Sequence, residues 1–197
     1  MKSKHSSSSA ESPTGHRLAA YSDAVFAVIV TIMVLELKAP EEASFSALLP
    51  LWPIALSYAV SYGFIAIIWI NHHYLMRLVG APSLRLMWVN FAHLFLVSLV
   101  PFATAWVART HLASAPVVSY AALFVGIDLV YNVFERDVLA RALPEHVSPQ
   151  RRRAARRRSL IVLSLFVGAI AVAFVAPRVG FGLVCTALLM HVRPDPR

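Results

Sequence analysis

The sequence predicts an all-α integral membrane protein with six transmembrane helices per subunit. Three observations carry that expectation. Apolar residues make up 58% of the 197 residues and charged residues only 14%, against about 25% charged in an ordinary soluble domain. The apolar residues gather into long runs. Lysine and arginine fall between those runs in a one-sided pattern. Mean hydropathy is +0.66, and the length suits one membrane domain without a large soluble one.

Residues 1–15, MKSKHSSSSAESPTG, are polar and Ser-rich, which predicts a disordered cytoplasmic tail. The apolar run that follows contains Asp23 and lacks a small-residue cleavage site, so it does not read as a signal peptide. Residues 16–193 form the expected membrane domain and 194–197 a short C-terminal tail. The expected spans run from about Leu18 to Leu37, Leu48 to Tyr74, Leu86 to Val107, Val117 to Val138, Leu160 to Ala176 and Val179 to Val192. The first four reach the roughly 20 residues that a bilayer core requires. The last two are short and separated by Pro177 and Arg178, a pattern that predicts a tight hairpin.

The loop charges set an orientation. With the N-terminus inside, Lys38, Arg109 and Arg178 lie outside and the other fifteen of the 18 Lys and Arg residues lie inside. That asymmetry follows the positive-inside rule in every loop, placing both termini in the cytoplasm of a multi-pass plasma-membrane protein. Six arginines between Arg151 and Arg158 occupy an expected cytoplasmic loop at 145–159. Beside apolar segments, such a run favours anionic lipid headgroups over nucleic acid. Pro40, Pro82, Pro116 and Pro177 fall at span ends, whereas Pro101 lies inside the third span and predicts a kink there. Trp52, Trp88 and Trp106 sit near span ends as interfacial anchors. The single cysteine, Cys185, excludes an intrachain disulfide and reads as a packing residue. No internal repeat is detectable.

Polar residues inside spans are costly and invite a functional reading. The first span holds Tyr21, Ser22 and Asp23, with Arg17 available to pair with Asp23. The second ends Trp69-Ile-Asn71-His72-His73-Tyr74. Adjacent histidines point about 100° apart on a helix, so the two cannot share one metal from the same face. A hydrogen bond from this pair to Asp23 is one expected contact. In the third span Asn90 and His93 share a face. One polar cluster at one depth is therefore expected from three spans, either as a packing hub or as part of a functional site. It lacks a nucleophile–base pair or paired carboxylates, which argues against an enzyme. Asp128, Tyr131 and Asn132 lie on one face of the fourth span and predict an inter-helix network or a subunit contact.

The rest of the first span carries Val28, Thr31, Ile32 and Leu35 at i, i+3, i+4 and i+7, one stripe along a helix. Glu36 follows at the outer end, with Glu41 and Glu42 in the loop beyond. Such a stripe serves ordinary helix packing. Around a shared axis of several copies it makes stacked apolar rings with one ring of hydroxyls, and the glutamates make a cation-attracting mouth.

At these residues the sequence resembles a known family. Arg17-x-x-x-Tyr21-Ser22-Asp23, then Ala-Val-Phe-Ala and Thr31-Ile-Met-Val-Leu35-Glu36, is similar to the RxxxFSD signature of the transmembrane protein 175 family, prokaryotic and endosomal/lysosomal potassium channels. Trp69-Ile-Asn71-His72-His73 and Asn90 with Leu99-Val-Pro101-Phe102 also resemble that family. Tyr21 stands where the signature has Phe, adding a hydroxyl. The resemblance covers the six-span layout and is strongest in the first three spans.

The resemblance implies a homotetramer with a pore lined by first helices and no carbonyl filter, and the chain has no TVGYG-like stretch. It further implies a constriction at Val28, Thr31 and Leu35, with Glu36 at the pore mouth and Val28 smaller than the usual residue at its position. Arg17, Tyr21, Ser22, Asp23, His72, His73, Asn90 and His93 match its signature network. The expected function is a passive, potassium-permeable leak-type channel, with no cofactor and no metal beyond permeating potassium. A proton-linked secondary transporter relaying protons through Asp23 and the histidines is one alternative. A non-conducting membrane scaffold is the other.

Overall fold

The computed structural model describes residues 13–141 and 149–191. Among these the chain is helical: α1 (Pro13–Val34), α2 (Trp52–Met76), α3 (Leu84–Ser98), α4 (Val100–Arg109), α5 (Ser114–Arg141), α6 (Pro149–Ala173) and α7 (Pro177–His191). A 3₁₀ stretch, Phe45–Leu51, leads into α2.

Several expected boundaries move. Helix α1 already includes Pro13, the first described residue, inside the segment expected to be tail; proline is tolerated in a first helical turn. The rest of that expected tail, 1–12, and the C-terminal 194–197 lie outside the described residues. The basic stretch expected as a loop at 145–159 is also different. From Pro149 onward it forms the first turns of α6, since Arg and Ala are strong helix formers; residues 145–148 lie outside the described residues.

The third expected span divides at Leu99 into α3 and α4, immediately before Pro101. A proline at that position removes one amide donor and its ring crowds the preceding turn. Ser83 caps the start of α3, its Oγ accepting from the Leu86 amide at 3.2 Å. Between α4 and α5 the chain turns through His111 and Leu112, both with positive φ. The buried Leu112 side chain and the bond from its amide to the Val107 carbonyl at 3.1 Å hold that turn.

Among the described residues, four helical units are long and apolar enough to cross a membrane: Pro13–Val34, Phe45–Met76, Leu84–Arg109 and Ser114–Arg141. The fifth and sixth expected spans are the helices α6 and α7. The apolar part of α6, from Leu160, and the 15 described residues of α7 each rise about 21–23 Å, against roughly 30 Å for a hydrocarbon core.

The core is an aromatic column shared by α2, α5, α6 and α7. Phe64 stacks on Phe124 at 4.1 Å, Phe124 on Phe166 at 5.7 Å, and Tyr120 packs on Phe181 at 5.9 Å. Beside it the hydroxyls of Ser61, Tyr120 and Thr104 meet at 2.7 Å, joining α2, α5 and α4. Thr104 Oγ1 also donates to the Val100 carbonyl at 2.7 Å. Helices α6 and α7 form the expected hairpin, pressed together at Gly180. Ser114 at the head of α5 donates to the Ala173 carbonyl at 2.7 Å, satisfying an acceptor at the end of α6.

A Cβ added at Gly180 would lie 2.7 Å from the Ala173 Cβ and 2.9 Å from the Ala169 carbonyl oxygen, whereas one at Gly182 meets nothing within 4 Å. Gly180→Ala should therefore destabilise the protein by about 1–3 kcal/mol, and Gly182→Ala should be neutral or slightly stabilising. Thermal unfolding of the two variants in detergent checks the pair.

Candidate functional site

The polar residues of α1, α2 and α3 meet at one level near the start of α1. Ser22, His72, Asn90 and His93 are all essentially inaccessible. His72 Nε2 lies 2.7 Å from Asn90 Oδ1. The Asn90 amide donates from Nδ2 to Ser22 Oγ at 3.0 Å, and Ser22 Oγ donates to the Leu18 carbonyl at 2.9 Å. With the Asn90 oxygen turned to the histidine, His72 Nε2 must carry the proton. The result is a one-way relay of three donors ending on the backbone of α1. His72 is further enclosed by Phe134, parallel at 5.4 Å, Phe26, edge-on at 5.4 Å, and the parallel ring of His93 at 6.0 Å.

The other signature residues take separate places. Asp23 Oδ1 accepts from the Trp69 indole at 2.8 Å. Neither expected partner is used: His72 is committed to Asn90, and Arg17 is exposed and outside the two ion pairs found among the described residues. The reason is reach. Trp69 lies one turn before His73 on the flank of α2 that faces Asp23, and a tryptophan N–H has only donor capacity to satisfy. His73 is exposed, with its ring 5.5 Å from that of Trp69. Tyr21 is half exposed and packs edge-on against Phe91 at 5.6 Å.

A second polar set extends toward α6. Asn132 donates to Asp128 Oδ2 at 3.1 Å, and Ser159 Oγ donates to Asn132 Oδ1 at 2.7 Å. This is an inter-helix network between α5 and α6. Tyr131, expected beside it, turns instead to His93, with ring centres 5.6 Å apart. His93, Asn71, Asp128 and Tyr131 line a small cavity of about 30 Å³.

The opposite side of α1 is open. Phe26, Ile29 and Met33 are buried, while Val28, Ile32 and Leu35 are 53%, 48% and 74% exposed. Thr31 is exposed and its Oγ1 donates to the Val28 carbonyl at 2.8 Å. Its only proton is thereby used within the helix, and what the hydroxyl offers outward is lone pairs. Leu35 lies beyond the α-helical end of α1. There Leu35, Glu36 and Leu37 make tighter i→i−3 bonds of 3.1, 3.2 and 3.0 Å, so the regular spacing expected through Leu35 ends one residue earlier, at Val34.

The stripe also divides sideways. Val28 and Ile32 line a groove of about 810 Å³ shared with Pro101, Phe102 and Trp106, and Thr31 and Leu35 lie outside it. At the far end of the groove Glu36 is paired with Arg109 at 2.7 Å. The expected bare negative charge at Glu36 is therefore a partly exposed ion pair. Sequence reading did not anticipate Trp69 as the partner of Asp23, nor Arg109 as that of Glu36. Both signals were present, in a donor-only indole one turn from the histidine pair and in one of only three basic residues expected on the outer side.

The family model of TMEM175, described as the endosomal/lysosomal potassium channel, matches residues 17–101. A potassium channel of Chryseobacterium sp. (strain P1-3) is 35% identical over 184 residues, which is 93% of this chain and 95% of the relative. The chain belongs to the TMEM175 family. Another relative, a potassium channel of Chamaesiphon minutus, is 37% identical over 131 residues, 62% of this chain and 64% of its own length. The TMEM175 fold itself is matched in a crystal structure described as a lysosomal potassium-selective channel TMEM175 homolog from Chamaesiphon minutus. It has a TM-score of 0.76 and 28% identity, covering 90% of this chain and 95% of that one. The family is one of ion channels and not of enzymes. The segment matched by the TMEM175 model contains the relay and the open face of α1.

Replacing Asn90 by Leu leaves the buried His72 donor without an acceptor, and an unmet buried donor costs about 1–3 kcal/mol. The expected result is a lowered unfolding temperature in detergent. Trp69→Phe, at a partly exposed bond, should cost less than Asn90→Leu; equal losses would contradict the distinction drawn between the two contacts.

Proposed function

We propose that the chain is a potassium-permeable leak-type channel working as a homotetramer, with the first helices around a common axis. The observation that supports this most directly is the open face of α1. Val28, Ile32 and Leu35 remain uncovered on a helix whose other face is fully packed, with Thr31 as the polar interruption. Relatives described as potassium channels support the choice of ion.

In this reading the constriction consists of rings of Val28, Thr31 and Leu35, and the groove beside Val28 and Ile32 receives the first helix of a neighbouring copy. Apolar rings disfavour a continuous water column and set a barrier to ions. The Thr31 ring offers the ion oxygen lone pairs at mid-depth because its protons are held by the Val28 carbonyls. Arg109 offsets the charge of Glu36, which leaves Glu41 and Glu42 to raise the cation concentration at the mouth. We place the protein in the plasma membrane with six spans, α3 and α4 forming one, and both termini cytoplasmic. The basic start of α6 then faces anionic headgroups. Conduction down a gradient needs no cofactor.

The geometry disfavours a proton relay through Asp23. Asp23 bonds Trp69 while His72 bonds Asn90, so the carboxylate is not joined to the histidine by a direct hydrogen bond.

Reconstituted in liposomes under a potassium gradient, the protein should pass potassium above the level of empty vesicles. Leu35→Asn should change the flux by about tenfold if it alters the barrier by about 1.4 kcal/mol. Sizing in detergent should give four copies. Absence of flux together with a monomer would sink the reading and leave the scaffold alternative.

A further inference from the structure

We infer that α6 carries a binding site for one anionic phospholipid, in which Arg153 and Arg157 hold the phosphate and the face below them receives an acyl chain. The inference rests on α6 meeting a membrane, not on conduction.

Arg153 and Arg157 are four residues apart, on one face of α6, and both are exposed. The same face continues through Leu160, Ile161, Ser164 and Leu165, and these six residues line a single open groove of about 620 Å³. Leu160 and Ile161 are 64% and 38% exposed. Ser164, the polar member of the apolar half, donates its hydroxyl to the Leu160 carbonyl at 2.7 Å. It presents no unmet donor to a hydrocarbon chain. The groove is therefore basic at one end and apolar at the other, which is the polarity of a phospholipid with a negative headgroup.

Two further features point the same way. Like charges at i and i+4 repel, and an anion between them removes that cost. Neither arginine belongs to an ion pair found among the described residues. The adjacent Arg158 is different, half buried and close enough to Asp128 and Tyr131 on α5 to interact with them electrostatically. Depth is also suitable. Ser159 bonds Asn132, two residues before Phe134, which stacks on His72. Ser159 is thus near the level of the relay. At 1.5 Å per residue, Arg157 and Arg153 rise about 3 and 9 Å beyond it, toward headgroup depth.

The test is native mass spectrometry of the purified full chain in detergent, titrated with phosphatidylglycerol, phosphatidylcholine or glycerol phosphate. Phosphatidylglycerol should bind measurably tighter than phosphatidylcholine, and glycerol phosphate, which has no acyl chains, should not compete. The double variant Arg153→Gln/Arg157→Gln should bind phosphatidylglycerol on the order of 30-fold more weakly, as expected for two surface arginines. Leu160→Gln should weaken binding of the lipid as well. Arg141→Gln, an exposed arginine at the end of α5, should leave it unchanged. Equal binding of the two lipids, competition by glycerol phosphate, or an Arg141→Gln effect as large as the double variant's would overturn the site. So would a double variant that loses its oligomeric state without any lipid dependence, because the face would then belong to a second copy. Potassium flux measured separately keeps failure of this site distinct from failure of the channel reading.

Discussion

The structure depends on the need of buried polar groups to find partners within the protein, and the relay from His72 through Asn90 to Ser22 is where that need is met. In a low-dielectric interior each unmet donor is costly. The relay spans α1, α2 and α3, so it sets both their depth and their rotation. Rotation is the consequential part. With Ser22 turned inward, Val28, six residues on, points about 120° away, and Leu35 about 140° away on the same side. The exposure of these two positions follows from where Ser22 is held. A polar cluster at one end of the bundle thereby selects which edge of α1 is left uncovered.

The rest of the bundle supports that arrangement. The Phe64, Phe124 and Phe166 rings anchor α2 against α5 and α6, and Thr104 with Ser61 and Tyr120 joins α4 to the same core. The break before Pro101 turns α4 so that Phe102 and Trp106 stand across the groove from Val28 and Ile32. Helices α6 and α7 close on each other through Gly180. Asn132 and Ser159 attach them to α5. The α6–α7 hairpin reads as a buttress applied to the outer side of the α2–α5 core, away from α1.

Membership in the TMEM175 family and the open face of α1 converge on the same helix. The family match covers α1 through the start of α4, and within that segment the chain keeps one side of α1 for its own core and leaves the other uncovered. Tyr21, in place of Phe, sits on the exposed side beside the groove, where its hydroxyl does not have to be accommodated in the core.

Local pattern was enough for the membrane class, the order of the helices, the break at Pro101, the tight final hairpin and the gathering of Ser22, Asn90 and a histidine at one depth. These depend on run length, proline chemistry and helical periodicity, which are properties of neighbouring residues. Partner choice was not legible in the same way. Asp23 bonds a residue 46 positions away, Ser22 one 68 away and Glu36 one 73 away. The donor-only indole of Trp69 and the scarce outer basic residues are compatible with these pairings, but local pattern does not rank Trp69 above His72 or Arg109 above solvent as a partner. Only the packed distances between helices decided that His72 turns in and His73 out. Sequence sets which face each helix can bury; tertiary contact decides which group across the gap comes within bonding distance.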